Sequence, residues 1–422
     1  MMNSEHERTT PRAAVAIFLA FASAYFLSAL LRGVTATLAP AFSAELGIGA
    51  GDLGLLAGAY FLGFSLMQLP LGHALDRFGP RRTLLVLLAL AMLGCAAFAL
   101  ADGPAALIAA RALIGMGVGA CLMAPLTCYR RLLTPAAQLR ANAWMLMTGS
   151  VGMVASTLPV QWLLARTGWR GLFWLLAAAL GLALLAIALA VPRERPPAPA
   201  GADAAADGGY GRILRHPLFV RLAPLGFFVY GGLVAVQALW AGPWLTRVHG
   251  LTALQAAEGL FAVNLSMLLA FLAWGAVMPR LERGGVGTMR LMTWGLPLPL
   301  VLLALNVALG ADAGAAHWAL WCVACTFVTV SQPAVGAAFP AAKAGRALSA
   351  FNLVIFAGVF CIQWGIGLAI DLGASAGLDE AAAMRAAFAA FGACALAAYL
   401  WFLQRRGGDG RAAVDNRAAA RT

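Results

Sequence analysis

The chain has 422 residues, of which 62% are hydrophobic and 11% charged, with a mean hydropathy of +0.84; such values exclude a soluble globular enzyme. The formal net charge of +12 is dispersed in short clusters and accompanied by no base-reading motif, which excludes nucleic acid as the partner.

Twelve apolar stretches fill the chain, at 13–37, 53–74, 83–101, 104–126, 142–164, 172–191, 222–245, 257–278, 290–310, 316–339, 348–370 and 386–403. A hydrocarbon core of about 30 Å needs about 20 helical residues, and an unpaired backbone amide in lipid costs several kcal/mol. The expected fold class is therefore an all-α integral membrane protein with twelve transmembrane helices. With the N-terminus inside, the cytoplasmic segments hold 23 of the 29 Lys and Arg, an asymmetry that predicts both termini in the cytoplasm. Residues 1–12 read as a polar tail and 404–422 as a second one. The first apolar run is too long for a signal-peptide core and is kept as a span.

In the first span, Tyr25, Ser28, Arg32 and Thr35 recur at helical spacing and form one polar stripe able to line a wet cavity. A charge within a span is costly, so Arg32 is a functional candidate. After the second span comes Gly72-His73-Ala74-Leu75-Asp76-Arg77-Phe78-Gly79-Pro80-Arg81-Arg82, in which an aspartate stands among arginines at a helix end and can face another helix's N-terminus. Arg111 enters the fourth span ahead of Gly115, Gly117 and Gly119, at a depth of about 8 to 10 Å, matching the expected depth of Arg32. Residues 192–221 are rich in Pro, Ala and Gly and read as a flexible cytoplasmic linker between a bundle at 13–191 and one at 222–403. The halves echo each other: Tyr25, Arg32 and Pro40 match Tyr230, Gln237 and Pro243, and Gly72 and Arg77 match Gly275 and Arg280, at offsets of 203 to 205 residues. Parallel repeats of this kind put a substrate site at their interface near mid-membrane. On span seven, Tyr230, Gln237 and Trp244 share a face with Trp240 nearby; Thr326 and Thr329 share one on span ten, and Asn352, Phe356 and Gln363 one on span eleven. All seven cysteines lie in or at the ends of spans, and no disulfide framework is implied.

The loop at 72–82 resembles the G-x-x-x-D-R-x-G-R-R signature of the major facilitator superfamily, broken only at Pro80, and the glycine run after Arg111 and the six-plus-six layout extend the resemblance over essentially the whole chain. The resemblance implies two six-helix bundles related by a pseudo-two-fold axis and transport of a small molecule by alternating access. It implies a conformational gate of Gly72, Asp76, Arg77, Gly79 and Arg81, holding the halves together on the cytoplasmic side in the outward-open state. It also lines the pathway with spans 1, 4, 7 and 10, and so brings in Arg32 and Arg111. Two guanidiniums there suggest an anionic cargo held through paired hydrogen bonds, taken up or exchanged. The substrate-binding set is then Arg32, Tyr25, Ser28, Thr35, Arg111, Tyr230, Gln237, Trp240, Asn352 and Gln363.

A drug exporter of the same superfamily is the first rival, but the fifth span, from Gly149 to Pro159, lacks the glycine-proline run usual there. A soft-metal carrier is the second, from Cys322-x-x-Cys325 and the methionines and cysteines of span four, although these also serve as ordinary apolar packing. A non-transporting sensor is the third. No phosphate-cradling loop, HExxH or GxSxG pattern occurs, and the five histidines form no metal cluster, so neither enzyme activity nor a metal or other cofactor is expected. Coupling to a proton or other ion gradient stays open, as no acid lies at mid-membrane. The chain is expected to work as a monomer in the lipid bilayer, in a bacterium the cytoplasmic membrane.

Overall fold

The computed structural model describes residues 11–193 and 210–405, and the tails at 1–10 and 406–422 and most of the expected linker lie outside them. Among the described residues every regular element is helical. Ten helices are long and apolar enough to cross a membrane.

Helix α1 runs Pro11–Leu46 and continues through Pro40, nine residues beyond the expected end of the first span. Helix α2, Ala50–Ala99, covers both the second and third expected spans. Inside it Gly79 has φ 77° and ψ 161°, a left-handed conformation that a residue with a Cβ resists. Pro80 starts the next helical stretch, where a missing N–H costs nothing, and the Thr83 hydroxyl donates to the Ala74 carbonyl at 3.0 Å across the turn. The glycine of the 72–82 loop is thus a corner, which sequence periodicity does not reveal. Helices α3 (Pro104–Val118) and α4 (Met123–Leu132) form one further crossing, and α5 (Pro135–Ala155) leads through Ser156 and Thr157 into α6 (Leu158–Ala190), itself turned at Gly168 with φ 66°.

The second half begins earlier than expected: Tyr210–Leu214 forms a short helix, α7, and α8 spans Pro217–Val248. The latter is not a uniform α-helix. Wider π-turns occupy Leu225–Tyr230, Val236–Trp240 and Trp244–Val248, the first following Pro224 and the third following Pro243. Such turns concentrate at functional sites, and these carry Tyr230, Gln237, Trp240 and Trp244. Then come α9 (Ala253–Arg283), α10 (Thr288–Gly295), α11 (Pro297–Leu309) and α12 (Ala315–Cys325), which tightens to a 3₁₀ stretch at Thr326–Val330 before α13 (Ser331–Ala337). Helices α14 (Ala341–Ser375) and α15 (Glu380–Gln404) complete the described chain.

The two ends of the bundle differ. At the end away from residues 193 and 210, the halves meet along two seams. Small residues let the helices close there: a side chain at Gly54 would strike the Gln363 carbonyl, one at Gly367 the Ala50 carbonyl, and one at Gly242 the Ala36 carbonyl. One large apolar core runs through both halves across these seams. At the linker end a second core, around Phe219, Leu222, Met292 and Phe351, belongs to the C-terminal half alone.

The closed end also carries an ion pair outside the apolar span. Glu45 accepts hydrogen bonds from the Arg170 guanidinium and from the Trp169 indole at 2.7 Å. These bonds hold the Glu45 carboxyl below its usual range. Its stabilising contribution is therefore full above the ordinary carboxylate pKa and lost as pH falls through the lowered value. The melting temperature of Glu45→Gln should lie below that of the parent by a constant amount down to about pH 5, and the gap should narrow below about pH 4.

Candidate functional site

The span containing Arg32 extends to Ala41, about 14 Å further along the helix, so this cation lies nearer mid-span than the 8 to 10 Å expected from sequence. Its guanidinium lies near the hydroxyls of Tyr25 and Tyr60 and near Tyr230 of the other half. The side chain is only partly covered, and its Nε, which is covered, has no hydrogen-bond partner. Tyr25 in turn rests against Gly149 of α5, where a Cβ would come within 2.5 Å of its ring. A polar site shared between the halves, built on α1, α2 and α8, is the result.

Arg111 differs from Arg32. It is 1% exposed, and one terminal nitrogen donates to the Leu31 carbonyl at 2.7 Å and to the Thr35 hydroxyl at 2.5 Å. The guanidinium lies over the Tyr60 ring, 5.1 Å from its centroid, while Nε and the other terminal nitrogen have no partner. Tyr60 thus stands beside both cations, with its ring face under Arg111, and itself donates to the Ser28 carbonyl at 3.1 Å. No carboxylate pairs with either guanidinium among the described residues; the ion pairs formed there are Arg170–Glu45 and Arg247–Glu380, both at the closed end. Both cations lie beside Tyr60 without a carboxylate partner, an arrangement that is costly unless water or an anion reaches them.

The expected set divides on this geometry. Tyr25, Ser28, Arg32, Thr35, Arg111 and Tyr230 are brought together. Gln237 lies apart, donating to Asn264 at 2.9 Å. Trp240 and Gln363 are fully buried in the α8–α14 seam, where the Trp240 indole donates to the Gln363 carbonyl at 3.1 Å and the Gln363 amide to the Ala235 carbonyl at 3.3 Å. Asn352 accepts from Gln332 at 2.6 Å, and Thr326 accepts from the Trp274 indole at 2.7 Å. The pairs of the C-terminal half are neutral, so the site's charge comes from the N-terminal half.

Tyr60 is the residue that sequence reasoning passes over. Its helix neighbours are apolar, so no polar stripe marks it, and its role comes from contacts with residues 28 and 51 positions away. Phe64 beside it meets Phe356 of α14 at 4.6 Å between ring centres, which joins this wall to the second half. The loop residues Gly72, Asp76 and Arg77 are exposed at the linker end; Arg77 lies over Phe78, and Arg81 donates to the Ala188 carbonyl at 2.6 Å near the end of α6. A cation at a helix C-terminus satisfies carbonyls that otherwise lack partners. Cys322 and Cys325 are buried, and no group of His, Cys, Asp or Glu is disposed to hold a metal ion among the described residues.

A family model described as the Major Facilitator Superfamily matches residues 21–362. No curated protein sequence matches significantly. Among solved structures, the chain is similar to a bacterial homologue of the human lysosomal transporter Spinster in an inward-facing, unoccupied conformation, at 17% identity over 94% of this chain and 97% of that one, with a TM-score of 0.73. It is likewise similar to a D-xylose–proton symporter (16% identity, 92% and 96% covered, TM-score 0.72) and to the POT-family transporter PepTSo (15%, 94% and 99%, 0.74).

Arg111→Ala should lower the melting temperature in detergent more than Thr35→Val, because it frees the Leu31 carbonyl and empties the space over Tyr60, a loss of about 1–3 kcal/mol. Equal effects would show that the Leu31 bond contributes nothing.

Proposed function

The chain belongs to the major facilitator superfamily, and from that premise we propose that it carries a small organic or inorganic anion across the membrane by alternating access, in uptake or exchange. The observation that carries the anion is the pair of guanidiniums around Tyr60 without a carboxylate partner. Arg32, partly open and without a carboxylate partner, is the cargo ligand. Tyr25 and Tyr230 complete the wall, their hydroxyls able to donate to cargo oxygens, while the buried Tyr60, whose hydroxyl donates to the Ser28 carbonyl, backs the two cations. Arg111, with Ser28 and Thr35, is the positioning group: its bonds to Leu31 and Thr35 fix the α1 turn that presents Arg32. Trp240 and Gln363 brace α8 against α14, and Gln237 and Asn352, paired with Asn264 and Gln332, are more distant polar groups that a larger cargo would reach.

In this reading the corners at Gly79 and Gly168 and the α5 crossing bring the crossings to twelve, in two bundles of six joined by a cytoplasmic linker, with both termini in the cytoplasm. The linker end is then the cytoplasmic one, and the fused core at the other end corresponds to an inward-facing state. The loop of Gly72, Asp76, Arg77, Gly79 and Arg81 gates that cytoplasmic side. The positive charge in the N-terminal half and the neutral pairs in the other give the rocking halves different duties: one holds the cargo's charge, the other closes over its remainder. An exporter of the same superfamily shares this fold, and the nature of the ligand separates the two.

A thermal-shift screen of the purified protein against carboxylates, phosphates, amines, vitamins and Cu(I) tests the reading. At least one anion should raise the melting temperature of the parent, with a response reduced at least tenfold in apparent affinity in Arg32→Ala, a charge-assisted contact being worth about 1.5–3 kcal/mol. Stabilisation by organic cations alone, equal in both proteins, would contradict it.

A further inference from the structure

The N-terminus of α2 has no cap of its own. Gly49 holds the N-cap position and offers no side chain, so the first N–H groups of the helix need an acceptor from elsewhere. The acceptor comes from the other half, 320 residues away. Asp371, near the end of α14, takes the Gly51 N–H on one carboxylate oxygen at 2.8 Å and the Ala50 N–H on the other at 3.2 Å. Its negative charge also meets the positive end of the α2 macrodipole. The approach depends on a bare backbone, since a Cβ at Gly51 would lie 2.6 Å from the accepting oxygen. Deeper along the same seam Gly54 packs on the Gln363 carbonyl and Gly58 on the Phe360 ring, so the cap sits at the rim of a closed inter-half contact.

We propose that Asp371 is the latch of the closed end: its carboxylate caps α2 only while the halves are together there, and so holds the site shut on the side opposite the linker. The proposal rests on the alternating-access reading above. When the halves part, both N–H groups and the carboxylate return to water, and the latch's contribution to the closed state disappears. The bond thus acts on the equilibrium between states, not on the integrity of either half. Three of the cations at this end are engaged elsewhere: Arg247 pairs with Glu380, Arg170 with Glu45, and Arg385 donates to the Val307 carbonyl. Asp52 lies in the first turn of α2 and is exposed.

Double electron–electron resonance reads the latch directly. Spin labels are placed through Ala44→Cys and Ser375→Cys, one exposed position in each half at this end, with the exposed Cys361 and Cys394 changed to serine, and the protein is held in lipid nanodiscs. The background should show mainly the short distance of the closed end. Asp371→Ala should raise the ratio of long to short distances roughly tenfold, as loss of hydrogen bonds to a charged group implies, and Asp371→Asn should raise it less, because the amide keeps one acceptor oxygen. Gly51→Ala, which displaces the carboxylate from the other side, should raise it too. Unchanged distances in both Asp371→Ala and Gly51→Ala, in samples that elute as a single species, overturn the proposal. The outcomes also separate it from the anion reading. Anions that bind the parent while the distances ignore Asp371 remove the latch alone, whereas distances that shift in Asp371→Ala while no anion binds leave the latch in place and remove the anion.

Discussion

A guanidinium inside a membrane span must find water, a counter-charge or a set of hydrogen-bond acceptors, and much of this protein's interior is organised around two of them. Arg111 is met chiefly by acceptors: the Leu31 carbonyl, the Thr35 hydroxyl and the face of Tyr60. Arg32 has the tyrosine hydroxyls around it but keeps a covered Nε without a partner. The cost of desolvating a charge, several kcal/mol even after relaxation, forces the surrounding helices into specific positions. The break between α5 and α6 at Ser156 and Thr157 is part of this: the Ser156 carbonyl accepts from Thr37, and Gly33, Gly149 and Gly152 let α5 close on α1 behind Tyr25.

The same constraint divides the labour between the halves. The N-terminal part supplies the cations and the close-packed glycine contacts that keep α1, α2 and α3 in register, such as Gly115 against the Tyr60 carbonyl. The C-terminal part supplies α8, whose π-turns carry Tyr230 and Gln237, and α14, whose Gln363 and Phe360 form the seam with α2. Neutral amide pairs such as Gln237–Asn264 tie helices together without adding charge to the pocket.

Much of this was legible in the sequence because membrane solvation is a one-dimensional constraint. Apolar length pointed to membrane-spanning helices, of which ten are long enough to cross, and a charge within an apolar run singled out Arg32 and Arg111. The stripe of Tyr25, Ser28, Arg32 and Thr35 follows from helical spacing alone. What was not legible depends on distant partners. Hydropathy also ends the first span at residue 37, whereas α1 tolerates Pro40 and extends to Leu46, which places Arg32 nearer mid-span. Tyr60 carries no local polar pattern, and the burial of Trp240 and Gln363 follows from the packing of α8 on α14, with Gly54 of α2 against the Gln363 carbonyl. That Asp371 caps a helix of the other half is visible only when the two are folded together.

If the uncompensated charge around Tyr60 is the seat of cargo, anion movement through the protein must depend on Arg32 and on both halves enclosing it. Counterflow in proteoliposomes tests this most directly, with each anion that stabilises the protein loaded unlabelled inside and added labelled outside. The account predicts time-dependent accumulation of label that is absent with empty vesicles and abolished in Arg32→Ala. Binding without accumulation in the parent, or accumulation that Arg32→Ala leaves unchanged, would contradict it.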